Sequence, residues 1–274
     1  DIRGKEANLP VSELLGGRKR DRVLAYATLD LPMTSATPGD AFERALRAAL
    51  DQGFKAVKLC IENFGHRDEC MSVREWDLRE AALLRFAREI AGESVRLMLD
   101  VYSSDPKWSG EFDWALKTSR ILEDLDFLWF EEPLAPGDLD HFTELTKCTN
   151  IAIAGAEDFI LLCDFENLVD RHAVDILQPD CTRVGGLTRM QSIGEIASQN
   201  GLDLVPHGYN TAVGLAADLQ FQSTNSCEKY CIVEVWPHKS ITDLLKENPF
   251  SLDSEGKIAV PTGAGLGVAL NDPE

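Results

Sequence analysis

Apolar residues fall into short runs of four to seven, separated by longer stretches in which they recur every three or four positions. The runs predict strands at Val23–Leu29, Lys55–Cys60, Val95–Asp100, Phe127–Glu131, Ile151–Ala154, Ala173–Gln178, Leu202–Pro206 and Tyr230–Val235. The periodic stretches predict helices at Ala41–Leu50, Arg74–Ile90, Trp114–Leu122, Leu139–Lys147, Asp164–Arg171, Leu187–Gln199 and Thr211–Phe221. Strand starts recur roughly every 30 residues, the size of a βα unit. Eight such strands with helices between them predict a (β/α)8 TIM-type barrel, whose usual length is about 250 residues. A doubly wound open sheet is the competing arrangement, and it loses because no glycine-rich phosphate turn follows the first strand. Two ends lie outside the repeat. Residues 1–20 read as a linker, 21–240 as the barrel and 241–274 as a C-terminal covering segment.

Composition agrees with a folded α/β chain: 274 residues, 44% hydrophobic and 27% charged. The net charge of -19 should repel phosphate backbones and anionic lipid, so neither nucleic acid nor membrane is an expected partner. No stretch reaches 18 uninterrupted apolar residues, the length a spanning helix needs. The start, Asp1-Ile-Arg-Gly-Lys5, is charged where a signal peptide is apolar. It also lacks an initiator Met, as a piece of a longer chain would. Seven cysteines, an odd number without metal-ligand spacing, suggest reduced thiols and a cytoplasmic setting.

Barrel chemistry gathers where strands end. The third strand ends at Asp100, the fourth at Glu131, and the fifth runs at once into Glu157. One such acid is commonly a solvated loop residue or a helix cap. Three on successive strands, 31 and 26 residues apart, would converge on one mouth and repel. A hard divalent cation resolves that conflict, and Mg2+ fits because it accepts few carboxylates and keeps sites for water or substrate.

The sixth strand runs into Gln178-Pro179-Asp180 and the seventh into Val205-Pro206-His207. Asp180 could then hydrogen-bond the His207 ring, fixing its tautomer and raising its basicity. The other histidines (His66, His141, His172 and His238) have no such partner readable in sequence. Lys58, between Val57 and Leu59, is costly inside a barrel unless it meets an anion such as a substrate carboxylate. It shares a face with Cys60, whereas Lys55 faces the other way. Glu234, flanked by apolar residues, is expected to point inward opposite Lys58 across the mouth. Burial would let its carboxyl donate a hydrogen bond.

These residues carry a resemblance. Gly53-Phe-Lys-Ala-Val-Lys58, Leu99-Asp100, Phe130-Glu-Glu-Pro133, Ala154-Gly-Ala-Glu157, Asp175-Ile-Leu-Gln-Pro-Asp180 with Arg183-Val-Gly-Gly186, Pro206-His-Gly208 and Val233-Glu234 together resemble the barrel of the mandelate racemase subgroup of the enolase superfamily. Asp1 through Gly17 looks like the family's link from its N-terminal capping domain, and Pro249-Phe250 through Gly267 like its C-terminal segment. The resemblance implies that Asp100, Glu131 and Glu157 bind Mg2+ and that His207 with Asp180 is the acid/base dyad. It implies that Lys58 holds the substrate carboxylate, that Glu234 bonds the same group, and that an enediolate forms after loss of the proton alpha to that carboxylate. Relatives are often multimeric, so a homo-oligomer is expected.

Two departures shape the functional expectation. The family often carries a second Lys, a base on the face opposite the His, where this chain has Cys60. Racemisation needs acid/base groups on both faces. Dehydration needs one, so an Mg2+-dependent sugar-acid dehydratase (a hydro-lyase) is the expected activity. Cys60 could act as a thiol base, although a small packed residue is the plainer reading. Tyr102 replaces an Asn often found two residues after the first metal ligand and could line the site, as could Lys107. The capping domain is missing from these residues, so another segment or subunit would have to cover the mouth. An epimerase, racemase or cycloisomerase using the same intermediate is the alternative within enzymes, and a catalytically silent truncated barrel is the alternative outside them.

Overall fold

The computed structural model describes residues 1–32, 40–62, 73–101, 112–208, 211–227, 229–237 and 243–271. Its strands are β1 (Arg22–Pro32), β2 (Ala56–Glu62), β3 (Arg96–Asp100), β4 (Phe127–Glu131), β5 (Ala152–Gly155), β6 (Ile176–Leu177), β7 (Asp203–Leu204), β8 (Ile232–Val235) and β9 (Lys257–Ala259). Two short helices, α1 (Ile2–Ala7) and α2 (Val11–Leu14), precede β1. Those that follow are α3 (Asp40–Asp51), α4 (Val73–Ala91), α5 (Phe112–Asp124), α6 (Leu139–Cys148), α7 (Leu162–Arg171), α8 (Leu187–Gln199) and α9 (Ala212–Gln222). Strands β1 to β8 are parallel in the order β7-β6-β5-β4-β3-β2-β1-β8, as a (β/α)8 barrel requires, and β9 pairs antiparallel with the start of β1. No described helix is long and apolar enough to cross a membrane.

Each outer helix buries one stripe. In α3 the stripe is Phe42, Leu46 and Ala49, and in α7 it is Phe165, Leu168 and Val169, the three-to-four spacing of an amphipathic helix. The exception is α9, buried from Ala212 through Gln222 save for the partly buried Val213. Its polar Gln220 holds the two chain ends together: Oε1 accepts from the Ser12 N–H at 3.0 Å, and Nε2 donates to the Pro261 carbonyl at 2.8 Å. Val11 N–H also donates to the Gly265 carbonyl at 2.8 Å. Gly265, at φ 73°, is in a conformation that strains any side chain, and a Cβ there would press on Asp1.

Strands β6 and β7 hold only two residues of ladder each, shorter than the pattern predicts. The Asp175 carboxylate takes the Ile153 N–H at 2.8 Å, and Pro179 and Pro206 cannot donate beyond. Among the described residues no ladder joins β7 to β8. The buried Gln222 amide stands in for it. Its Nε2 donates to the carbonyls of Leu204 at 3.3 Å, Tyr230 at 3.4 Å and Ile232 at 3.0 Å.

Inside the barrel, each strand or its C-terminal extension gives one residue to an apolar layer: Tyr26, Ala56, Met98, Trp129, Ala154, Ile176, Val205 and Ile232. Tyr26 and Trp129 meet edge to face at 5.6 Å. This layer is the floor of the site.

Candidate active site

Side chains on a strand return to the same face every second residue. Two positions beyond the apolar floor the strands therefore present Thr28, Lys58, Asp100, Glu131, Gln178, His207 and Glu234. All seven are buried. Only β5 breaks step. Its second position beyond the floor is Ala156, which adopts φ 90°, and the next residue, Glu157, enters the mouth instead. Asp100, Glu131 and Glu157 each offer an oxygen, and the three lie within 4.8 Å of one another.

Lys58 sits among these acids. Its Nζ is 2.5 Å from Glu131 Oε1, 3.2 Å from Asp100 Oδ2 and 3.2 Å from Glu234 Oε1. Burial alone would push the ammonium down, but Glu131 and Glu234 outweigh it and hold Lys58 well above the usual lysine range. Glu131 is raised to about 7, by burial and against the pull of Lys58, with Asp100 and Glu234 adding repulsion. Its Oε2 accepts from Trp129 Nε1 and Gln178 Nε2, both at 2.8 Å. Glu157 is also raised, by burial first and against the pull of His207. One ammonium does not neutralise this many acids in so little solvent. The excess of buried carboxylate oxygen is the donor set that suits a hard divalent metal.

Glu234 differs from its sequence reading in two ways. It does not face Lys58 across the mouth: with only β1 between their strands, the two form an ion pair. Nor is it a donor. Burial pushes its carboxyl up, but Lys58, His207, the Thr28 hydroxyl and the Gly208 N–H outweigh it and bring it to about 2. Thr28 Oγ1 donates to Oε1, and Gly208 N–H donates to Oε2 at 2.9 Å.

His207 and Asp180 do meet, Nδ1 to Oδ2 at 3.0 Å. Asp180 Oδ1 accepts from both the N–H and the hydroxyl of Thr182, at 2.7 and 2.6 Å, which fixes the carboxylate. Burial pushes His207 down, but the Asp180 hydrogen bond and the Glu157 charge outweigh it and lift it to about 10. The second ring nitrogen, Nε2, faces the acids, 3.4 Å from Glu157 Oε2. His141, read as lacking a partner, has one: Nδ1 lies 2.7 Å from Asp138 Oδ2, at an exposed helix cap away from the mouth.

Cys60 lies at the mouth but is occupied. Its Sγ donates to Asp100 Oδ2 at 3.0 Å, and burial together with Asp100 pushes the thiol well above its usual range. That is the environment of an inert thiol. Tyr102 and Lys107 lie outside the described residues. Four residues that hold the site, Thr28, Trp129, Glu132 and Gln178, are not among the site candidates read from the sequence. Period-two counting from the floor would have found Thr28 and Gln178. A separate cavity of about 700 Å³ opens at the opposite end of the barrel, lined by strand starts such as Val95, Phe127 and Asp175 and by none of these groups.

Comparison with known proteins agrees with this geometry. D-galactarolactone cycloisomerase of Agrobacterium fabrum is 31% identical over 99% of this chain and 69% of its own length. Arabinonate dehydratase of Saccharolobus solfataricus is 29% identical over 99% of this chain and 67% of its own. The crystal structure of the 3,6-anhydro-D-galactonate cycloisomerase from Zobellia galactanivorans superposes with a TM-score of 0.83 at 29% identity, over 99% of this chain and 70% of that one. The chain thus spans about two thirds of the length of such relatives. Residues 41–274 match the family described as Enolase C-terminal domain-like, and with a barrel whose polar layer holds the three acids and the His–Asp pair, the chain belongs to that family, among the mandelate racemase-like members of the enolase superfamily.

Proposed function

We propose that this barrel carries the chemistry of an Mg2+-dependent sugar-acid dehydratase that works with one base. The observation that carries the reading is the His207–Asp180 pair facing three carboxylates, with Cys60, in the second-base position, bound to Asp100 instead. Relatives named for dehydration of arabinonate, D-xylonate and D-galactonate support the substrate class.

Asp180 accepts the Nδ1–H of His207 and leaves Nε2 to take the proton alpha to the substrate carboxylate. The electron pair moves into the carboxylate to give an enediolate, and Lys58 offsets the charge that grows there. The pair then returns, the bond to the beta-hydroxyl breaks, and His207 gives its proton to the departing oxygen, so water leaves. When bound by Asp100, Glu131 and Glu157, Mg2+ would polarise the substrate carboxylate and, by engaging Glu157, relieve part of the pull that raises His207.

The test is incubation with Mg2+ and a panel of sugar acids in D2O, followed by mass spectrometry. A product lighter by one water is expected. Deuterium uptake or ring opening without loss of water would replace dehydration by the cycloisomerase chemistry for which two relatives are named. In calorimetric titration Glu157→Gln should weaken Mg2+ binding, and unchanged affinity would refute the three-carboxylate site.

A further inference from the structure

The site has one irregular member. Seven strands deliver their polar residue by plain alternation, and β5 does not. Continued from Ala154, the alternation would place Ala156 in the mouth and turn Glu157 toward the helices. What reverses this is visible in the adjoining strand. Glu132, directly after Glu131, is itself in the left-handed region at φ 46° and is buried. Its N–H donates to the Ala154 carbonyl at 3.0 Å, and its Oε1 accepts from the Ala156 N–H at 2.8 Å. It thus grips β5 on both sides of Gly155. The carboxyl also fills the space beside that glycine, where a Cβ would lie 2.9 Å from Oε1 and 3.4 Å from Cδ. Beyond it remains a void of about 10 Å³, no more than one water.

We infer that Glu132 is a positioning residue: its carboxyl oxygen holds Ala156 in the left-handed conformation and so turns Glu157 into the metal-binding mouth. For a non-glycine residue such a conformation is unfavourable and persists only when its surroundings impose it. Glu132 supplies that constraint by accepting the Ala156 N–H. The pairing of Glu132 with Gly155 is then a steric requirement, since any side chain at 155 would displace the carboxyl.

The inference rests on the reading of Asp100, Glu131 and Glu157 as metal ligands, and the experiment separates the two. Mg2+ affinity is measured by calorimetry for the full chain and for Glu132→Gln, Glu132→Leu and Glu157→Gln, with thermal melting of each and the Mn2+ electron paramagnetic resonance spectrum as a signature of ligand geometry. The Gln variant keeps an oxygen at the same place and should bind within about threefold of the parent with the parent spectrum. The Leu variant keeps every proposed ligand yet should bind about 10–100-fold more weakly, with an altered spectrum. Glu157→Gln should lose at least as much. If Glu132→Leu binds as the parent does while Glu157→Gln is weakened, the positioning role is overturned and the metal site stands. Equal losses in the Gln and Leu variants overturn it as well, because charge rather than the hydrogen bond would then matter. If Glu157→Gln is unaffected, the metal reading fails and the inference fails with it. Should the Leu variant not fold, Gly155→Ala applies the same displacement through one methyl. It should weaken Mg2+ about tenfold, and parent-like affinity there overturns the inference.

Discussion

Gln222→Met removes one amide from the barrel's only unladdered seam among the described residues. Methionine matches glutamine in length and volume, so packing is retained while the donor is lost. The wild-type Nε2 serves three carbonyls, one at 3.0 Å and two at 3.3–3.4 Å, and its Oε1 accepts from Asn225 Nδ2 at 3.0 Å. Tyr230 lies in the turn before β8 and Ile232 opens the strand, and both turn a carbonyl to this amide, although that of Tyr230 also accepts the Ile232 N–H at 3.0 Å. An unmet buried carbonyl costs about 1–3 kcal/mol. The Ile232 carbonyl loses its well-formed bond, whereas those of Tyr230 and Leu204 keep the Ile232 N–H and the Asn225 amide, so the loss should be about 1–3 kcal/mol. For a chain of 274 residues this lowers Tm by about 2–6 °C. The same seam sets His207, just past β7, against Glu234 on β8 through the Gly208 bond. Amide hydrogen exchange should therefore accelerate around Leu204 and Ile232 before it does in β1 to β4. Scanning calorimetry with exchange mass spectrometry checks both parts. A Tm within 1 °C of the parent would refute the claim that Gln222 replaces the missing ladder.

Other outcomes follow from the site. His207→Asn should lower deuterium exchange at the substrate alpha carbon by about 10²–10⁴-fold, read by mass spectrometry in D2O, because it removes the imidazole that Asp180 orients toward the mouth. Lys58→Met should reduce turnover by about 10²–10³-fold without weakening Mg2+ in calorimetry, since Lys58 competes for the same oxygens of Asp100 and Glu131. Weaker Mg2+ binding in that variant would mean that Lys58 organises the ligands rather than competing with the metal. Cys60→Ser retains a donor to Asp100 and should keep activity within about threefold, whereas a loss of about 10² or more in kcat would reveal a thiol base.

The order of the barrel's strands and helices and the list of strand-end chemistry were legible in the residues alone, whereas α1, α2 and β9 were not. Asp100, Glu131, Glu157, Asp180 and His207 each follow an apolar run, and a run of that kind ends at the mouth wherever strands are parallel. The cap of α6 was equally local, with Asp138 three residues before His141, although their pairing was not read from it. The state of each group was decided by tertiary structure. Lys58 meets Glu131 across 73 positions of sequence and Glu234 across 176, and the balance of those charges makes Glu234 an acceptor. Thr28 looks like an ordinary strand residue until the barrel closes and sets it against Glu234. Glu132 and Gly155 look like parts of two separate loops until β4 lies beside β5. Residue type and spacing express what a side chain can do and which face of its own strand it takes. Protonation, orientation and the turn that admits Glu157 depend on fields and contacts from neighbouring strands, and these exist only once the chain has folded.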